Sequence, residues 1–304
     1  MKKKMWKKVM AAALGMTLAL GLMACGSKPA EEPAQSGDPG QEAEAPDTQE
    51  GETPEAEEPS GEKEILKVGM SGDYPPFEFY AETENGRELV GVDVELAKYI
   101  ADSLGMELEL TDMSFDGLIG SLDAGKFDLV ISGMSIKEGR KCLFSKPYYT
   151  AEQSLLVKAG NEEKYASLDD LKGQKIGGQT GSFQEELANQ YAGTDTAQIV
   201  PNVQDMVMMV AEGKLDGMFC EDGVALSVVA RNDQLGIAKL DIPTEKNDLG
   251  VCIQEGNTEM QEKVNAIIDE VVEKNLIGEW TAQFLDVEEA AGDDAGTEGE
   301  ETAE

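Results

Sequence analysis

The chain has 304 residues, with 61 acidic side chains against 25 basic ones, a formal net charge of −36, no histidine and four cysteines. So acidic a chain argues against nucleic acid as a partner, because phosphate contacts need lysine and arginine. The lack of histidine removes histidine triads, histidine proton shuttles and most catalytic zinc sites.

The two ends do not read as folding sequence. Lys2, Lys3, Lys4, Lys7 and Lys8 precede an apolar run from Val9 to Ala24, the form of an export signal. Leu22-Met-Ala-Cys25 follows as a lipobox, which predicts a signal peptide over 1–24, a lipid on Cys25 and an extracytoplasmic body held at the cell membrane. A single membrane-spanning anchor is the alternative, for which the apolar run is short. Residues 25–64 are rich in Glu, Pro, Gly, Ala, Ser and Gln and read as an acidic disordered tether; 286–304 read as an acidic disordered tail. With Cys25 assigned to the lipid, Cys142, Cys220 and Cys252 remain, an odd number without C-x-x-C spacing. Their apolar surroundings predict buried small hydrophobes.

In chain order the body opens with a strand, Ile65 to Met70, running into Ser71-Gly-Asp-Tyr-Pro-Pro-Phe-Glu-Phe79. Its two prolines cannot continue the strand, so they hold Tyr74 and Phe77 on a rigid turn. Asn85-Gly86 marks a hairpin tip. Gly91 to Leu104 has the periodicity of an amphipathic helix stopped by Gly105. A strand from Glu107 to Leu110, a loop holding Phe115, a helix through Leu118 and Leu122, and a strand from Phe127 to Ser132 follow. Ser135-Ile-Lys-Glu138 then reads as a capping box opening a helix, with Arg140 in its first turns. Helix-start N–H groups, hydroxyls and a guanidinium at a strand end would seat a small carboxylate. An ordinary strand-to-helix turn with a surface arginine is the other reading.

A second series repeats the device. A strand from Gln153 to Val157 precedes a short helix at Ser167 and a strand from Lys175 to Gly178, which runs into Thr180-Gly-Ser182-Phe-Gln-Glu185, a second S-x-x-E box opening a helix. Asn202 caps a helix carrying Met206, Met208 and Met209, read as core filling rather than a metal site. Further elements are a strand from Leu215 to Cys220 ending at Glu221 and Asp222, a helix to Val229, strands near Ile237 to Leu240 and over Leu249 to Ile253, and helices over Thr258 to Lys274 and Ile277 to Leu285. Alternating strands and helices in two series predict an α/β fold with mainly parallel sheets in two lobes and a ligand cleft at strand ends.

These residues carry a resemblance. Asp73-Tyr-Pro-Pro-Phe-Glu-Phe79, Gly91-Val-Asp-Val-Glu-Leu-Ala97, Phe115-Asp-Gly-Leu-Ile119, Ile131-Ser-Gly-Met-Ser-Ile136 with Arg140, and Phe144-Ser-Lys-Pro-Tyr-Tyr149 stand in the order found in the family 3 solute-binding proteins, the amino-acid receptors of bacterial ABC importers. The chain from about Leu66 to Leu285 resembles that family. The resemblance implies a type II periplasmic-binding-protein fold, with lobe 1 over 65–153 and 248–285 and lobe 2 over 154–247. Hinge crossings fall near Ala151 to Leu156 and Glu245 to Leu249. It also implies a monomer that hands an amino acid to an ABC permease, with no cofactor and no catalysis.

By the same resemblance Tyr74 and Phe115 sandwich the ligand's apolar part. Ser132, Gly133 and Ser135 supply polar groups, and Arg140 pairs with the ligand carboxylate, joined by Ser182 and the N–H of Phe183. Glu221 pairs with the ammonium, with Asp222 as the alternative. Members selecting basic side chains or glutamine often carry Asp where this chain has Ser71. That departure, with Gln179 and Cys220 at other side-chain-facing positions, favours a neutral polar or modestly apolar ligand. Two other classes stay open: a dehydratase-type enzyme using Glu221 as general acid, and a ligand-sensing lipoprotein acting through a separate signalling partner.

Overall fold

A computed structural model of the chain describes residues 63–242 and 247–285. The signal peptide, Cys25, nearly all of the tether, Glu245 and the acidic tail fall outside the described residues. The body begins with β1 (Ile65–Met70), then a small antiparallel sheet of β2 (Asp73–Tyr74), β3 (Glu78–Thr83) and β4 (Gly86–Val90), turning at Asn85. Next come α1 (Val92–Leu104), β5 (Glu107–Asp112), α2 (Phe115–Asp123), β6 (Leu129–Val130), β7 (Leu143–Phe144), β8 (Tyr149–Ala151) and β9 (Gln153–Lys158). A 3₁₀ turn at Leu168–Leu171 precedes β10 (Ile176–Gln179), α3 (Phe183–Ala192), β11 (Gln198–Val200), α4 (Val203–Ala211), β12 (Gly217–Glu221), α5 (Asp222–Arg231) and β13 (Leu235–Ile237). The chain closes with β14 (Asn247–Leu249), β15 (Cys252–Ile253), α6 (Thr258–Glu273) and α7 (Leu276–Phe284).

Two five-stranded sheets make the two lobes. One has the order β5-β1-β6-β15-β7, the other β11-β10-β12-β9-β13. In each, three parallel strands are extended by antiparallel ones: β15 runs against β6 and β7, and β9 against β12 and β13. The sheets are therefore mixed. Between them β8 and β14 pair as a two-stranded ribbon, with Ala151 opposite Asn247 and Tyr149 opposite Leu249. Both passages of the chain between the sheets are thus hydrogen-bonded to each other.

Side-chain alternation fixes what faces what. On β12, Phe219 joins Leu155, Leu171 and Leu187 on one side of the second sheet, while Met218 and Cys220 join Val203, Met206 and Val224 on the other. On the first sheet, Leu129 and Ile131 face the cluster of Leu66, Val68 and Phe79, whereas Val130 and Cys252 face Phe115, Leu118 and Phe127. Cys220 is therefore core. Met206 is fully buried, but Met208 is 59% exposed, so only part of the methionine cluster fills core.

The helix expected at Ser135 does not form. Ser135 makes an antiparallel bridge with Leu249, the N–H of Ile136 donates to Asp248 O at 2.8 Å, and the N–H of Gly250 donates to Met134 O at 3.0 Å. Pairing with the returning chain takes the backbone groups a helix would use internally, overriding the local capping signal. Arg140 consequently lies on an irregular segment after Gly139, which holds a φ of +84°. Phe115 is not in a loop but is the first residue of α2, behind the N-cap position of Ser114. The strand expected over Leu249 to Ile253 is broken into β14 and β15, and the one expected near Ile237 to Leu240 ends at Ile237.

Candidate functional site

The small cavity between the lobes is lined by Tyr74, Phe115, Ser132, Gly133, Ser135, Gln179, Ser182 and Glu221 among the sequence-designated residues, and by Asp73, Glu78 and Gln184 besides. The turn at β2 brings Tyr74 in, the start of α2 brings Phe115, and the segment after β6 brings Ser132 to Ser135. From the second lobe, the ends of β10 and β12 deliver Gln179 and Glu221. The start of α3 delivers Ser182, whose hydroxyl accepts from Glu185 N at 3.2 Å and donates to Gln179 O at 2.7 Å. The second S-x-x-E signal thus does open a helix. Glu185, however, accepts from the N–H of Gly181 at 2.6 Å rather than from that of Ser182.

Glu221 is buried at the centre. Its Oε1 accepts from Gln184 Nε2 at 2.8 Å and Asn247 Nδ2 at 3.0 Å, and its Oε2 accepts from the Tyr74 hydroxyl. All of these donors are neutral. Burial without a cation pushes the Glu221 carboxyl up to about 8. Asp222, the alternative, is the first residue of α5 and accepts from the N–H of Glu152 at 3.3 Å, away from the cavity.

Beneath Ser132 and Gly133 lie two more buried carboxyls. Ser132 Oγ donates to Glu78 at 2.6 Å, and Asp93 Oδ2 accepts from Gly133 N at 2.6 Å and the Tyr148 hydroxyl at 3.0 Å. The other oxygens, Glu78 Oε2 and Asp93 Oδ1, are buried with no hydrogen-bond partner. Burial, reinforced by Asp93, raises Glu78 well above the usual carboxyl range, and burial brings Asp93 up to about 6. Gly133 holds a φ of +51°, and a Cβ there would lie 3.3 Å from the Tyr74 ring. Glycine lets the backbone N–H point at Asp93 without displacing the tyrosine.

Arg140 stands apart from this group. It borders an adjoining cavity of about 330 Å³ on the other side of Phe115, with Asp116 and Gly181. Its guanidinium carbon lies 6.0 Å from the centre of the Phe115 ring, and Nη2 donates to Gly181 O at 3.1 Å. Its Nε is buried with no hydrogen-bond partner. Phe183 opens α3 and packs with Leu187 and Tyr191 rather than lining the cavity. Ser71 and Cys220 also stay off its wall.

Sequence reasoning missed Asp73, Gln184 and Asn247. Asp73 is 8% exposed; its Oδ1 accepts from Ser71 Oγ at 3.0 Å and its Oδ2 from the N–H of Val203, at the start of α4, at 2.7 Å. Burial, with a smaller contribution from Asp112, raises Asp73 to about 6. Asp73 also borders a groove of about 310 Å³ that holds Ser71, Asp112, Arg87 and Tyr80. Its place immediately before Tyr74 was the available signal.

The contacts of Asp73 with Val203, Tyr74 with Glu221 and Arg140 with Gly181 all join one lobe to the other. They leave about 10 Å³ in the central cavity, room for about one water. A solute enters only after these bonds open. Among the described residues no group of His, Cys, Asp and Glu side chains could hold a metal ion.

Two mixed α/β lobes joined by a paired ribbon, closing on buried polar side chains, define a bilobal solute-binding protein of the type II periplasmic class. The chain belongs to the bacterial extracellular solute-binding proteins, family 3, whose profile matches residues 66–286. It is 35% identical to the arginine-binding extracellular protein ArtP of Bacillus subtilis over 70% of this chain and 82% of that protein. It is 32% identical to the L-cystine-binding protein TcyJ of Escherichia coli, over 69% and 78%. A crystal structure of the amino acid ABC transporter substrate-binding protein AbpA from Streptococcus pneumoniae bound to L-arginine is similar with a TM-score of 0.70 and 34% identity, covering 72% of this chain and 93% of that one. An ancestral arginine-binding protein bound to glutamine gives 0.65 and 35%, covering 72% and 97%.

Proposed function

We propose that the protein is a receptor that closes on one free α-amino acid with a cationic side chain and delivers it to an ABC importer permease. The observation that carries this reading is Glu221, a buried carboxyl between the lobes whose donors are all neutral. An α-ammonium is the cation that would complete it. Arg140, one step away behind Phe115, exchanges Gly181 O for the ligand carboxylate. Ser135 and the N–H of Phe183 donate to that carboxylate, joined by Ser132 and Ser182 once their hydroxyls turn from Glu78 and the Gln179 carbonyl, and Tyr74 and Phe115 cover the apolar stem.

Asp73 supports the side-chain preference. The departure from the family pattern at Ser71 pointed to a neutral polar or modestly apolar ligand, but Asp73, held by Ser71 itself, brings a carboxylate to the cavity wall. The relatives' ligands, arginine among them, agree with this choice. Charge-assisted bonds made only when both lobes surround the ligand favour closure.

The remaining roles rest on sequence. Met1 to Ala24 as a signal, a lipid on Cys25 and a flexible acidic tether would keep the body near a permease, as a monomer with no cofactor. Cys25→Ser should then release the protein from cells. A dehydratase reading would use the protonated Glu221 as general acid. The crowding of that carboxyl by Gln184, Asn247 and Tyr74 supports binding instead, and turnover of a cyclohexadienyl acid would reverse that preference. The sensor reading would be favoured by pull-down of a signalling protein in place of a permease.

The direct test is a thermal-shift panel on protein stripped of carried-over ligand. Arginine and lysine should give the largest shifts. Shifts with neutral amino acids alone would overturn the side-chain assignment, and none with any amino acid or cystine would overturn the whole reading.

A further inference from the structure

We propose that Cys142 and Cys252 form a disulfide by exchange with a low-molecular-weight disulfide, fixing the Arg140 segment to the first sheet. β7 and β15 are antiparallel, with Phe144 opposite Cys252. Cys142 immediately precedes β7 and packs on the side of the sheet that carries Cys252. Both cysteines pack in one cluster with Phe115, Val130 and Met134. Cys220 is excluded as a partner because it is buried in the core beside Met206 and Val224. The family is extracellular, where disulfides persist.

The two thiols are not equivalent. Cys142 is partly exposed, and Cys252 is fully buried. The neighbouring Cys252, and then the charge of Arg140, lower the Cys142 thiol, while burial raises that of Cys252. Cys142 is therefore the attacking group. Its thiolate displaces one half of the small disulfide as a thiol, leaving a mixed disulfide. Cys252 then loses its proton and attacks the Cys142 sulfur, releasing the second small thiol. Two protein thiols are oxidised by two electrons, and one small disulfide is reduced to two thiols.

The bond would tie the chain two residues beyond Arg140 to β15 and shorten the free segment that carries the guanidinium. The test uses the full chain, reduced, exposed to excess oxidised glutathione, then quenched in acid, alkylated unfolded and digested without reductant. The expected product is a peptide joining Cys142 to Cys252, lighter by two hydrogens than the two thiol peptides together, with Cys220 alkylated. Cys252→Ser should trap glutathione on Cys142, and Cys142→Ser should leave Cys252 alkylated. The proposal fails if wild type retains glutathione on Cys142, if either cysteine joins Cys220 or Cys25, or if both thiols remain alkylated after prolonged exposure.

Discussion

The guanidinium of Arg140 donates from the first lobe to the carbonyl of Gly181 in the second, Nη2 to O at 3.1 Å, while its Nε is buried and unpartnered. An arginine so placed has donors to spare for a planar carboxylate. Arg140→Ala should weaken amino-acid binding by about two to four orders of magnitude, the cost of about 3–5 kcal/mol for leaving one partner of a buried charged pair alone. Calorimetric titration measures it, with circular dichroism verifying the fold. Near-normal affinity would remove Arg140 from the site.

Glu221 should release a proton when ligand binds. Empty, its carboxyl sits at about 8; an ammonium beside it favours the charged form. Affinity should therefore rise with pH up to about 8 and then level off. Titration at pH 7 in two buffers of different ionisation enthalpy should report the released proton, and Glu221→Gln should abolish that release while weakening binding. Identical heats in both buffers would contradict the pairing.

Asp73→Asn should lower affinity for arginine by about tenfold or more, the scale of a lost charge-assisted hydrogen bond, and leave glutamine nearly unaffected. Competition titrations against both ligands read this directly. Equal losses would mean that Asp73 serves closure, through Val203, and not side-chain choice.

The buried carboxyls give the body an unusual pH dependence. Glu78, Asp93, Asp73 and Glu221 are all raised in the folded chain. The folded state therefore holds more protons than the unfolded one above about pH 4.5, and stability falls as pH rises through those values. Urea midpoints should be higher at pH 5 than at pH 8.5. Glu78→Gln, which removes one raised carboxyl and can still accept from Ser132, should narrow the difference. A midpoint that climbs with pH would contradict the raised carboxyls.

Much of this fold was legible because strands and helices alternate with clear apolar periodicity, and most elements lie within a few residues of their sequence-read bounds. The failures have a common cause. Ser135 carries a capping signal, yet Leu249, 114 positions later, pairs with it, and no local pattern announces so distant a partner. The site was legible where a residue sits at a strand end or helix start, as with Glu221 and Ser182. It was not legible for Asn247 and Gln184, whose relevance comes only from reaching Glu221, nor for Asp73, whose partner Val203 lies in the other lobe. Cys220 was misjudged because strand alternation turns it inward while its neighbour Glu221 turns to the cleft.

The central claim is that the cleft closes on a free amino acid held by Arg140 and Glu221. Its most direct test is mass spectrometry of the small molecule released on denaturing protein purified from cells without prior unfolding. The expected result is close to one molecule per chain, carrying both an α-ammonium and an α-carboxylate and, by the Asp73 assignment, a cationic side chain. A released solute lacking either α-group, such as a sugar or a dicarboxylate, would contradict it.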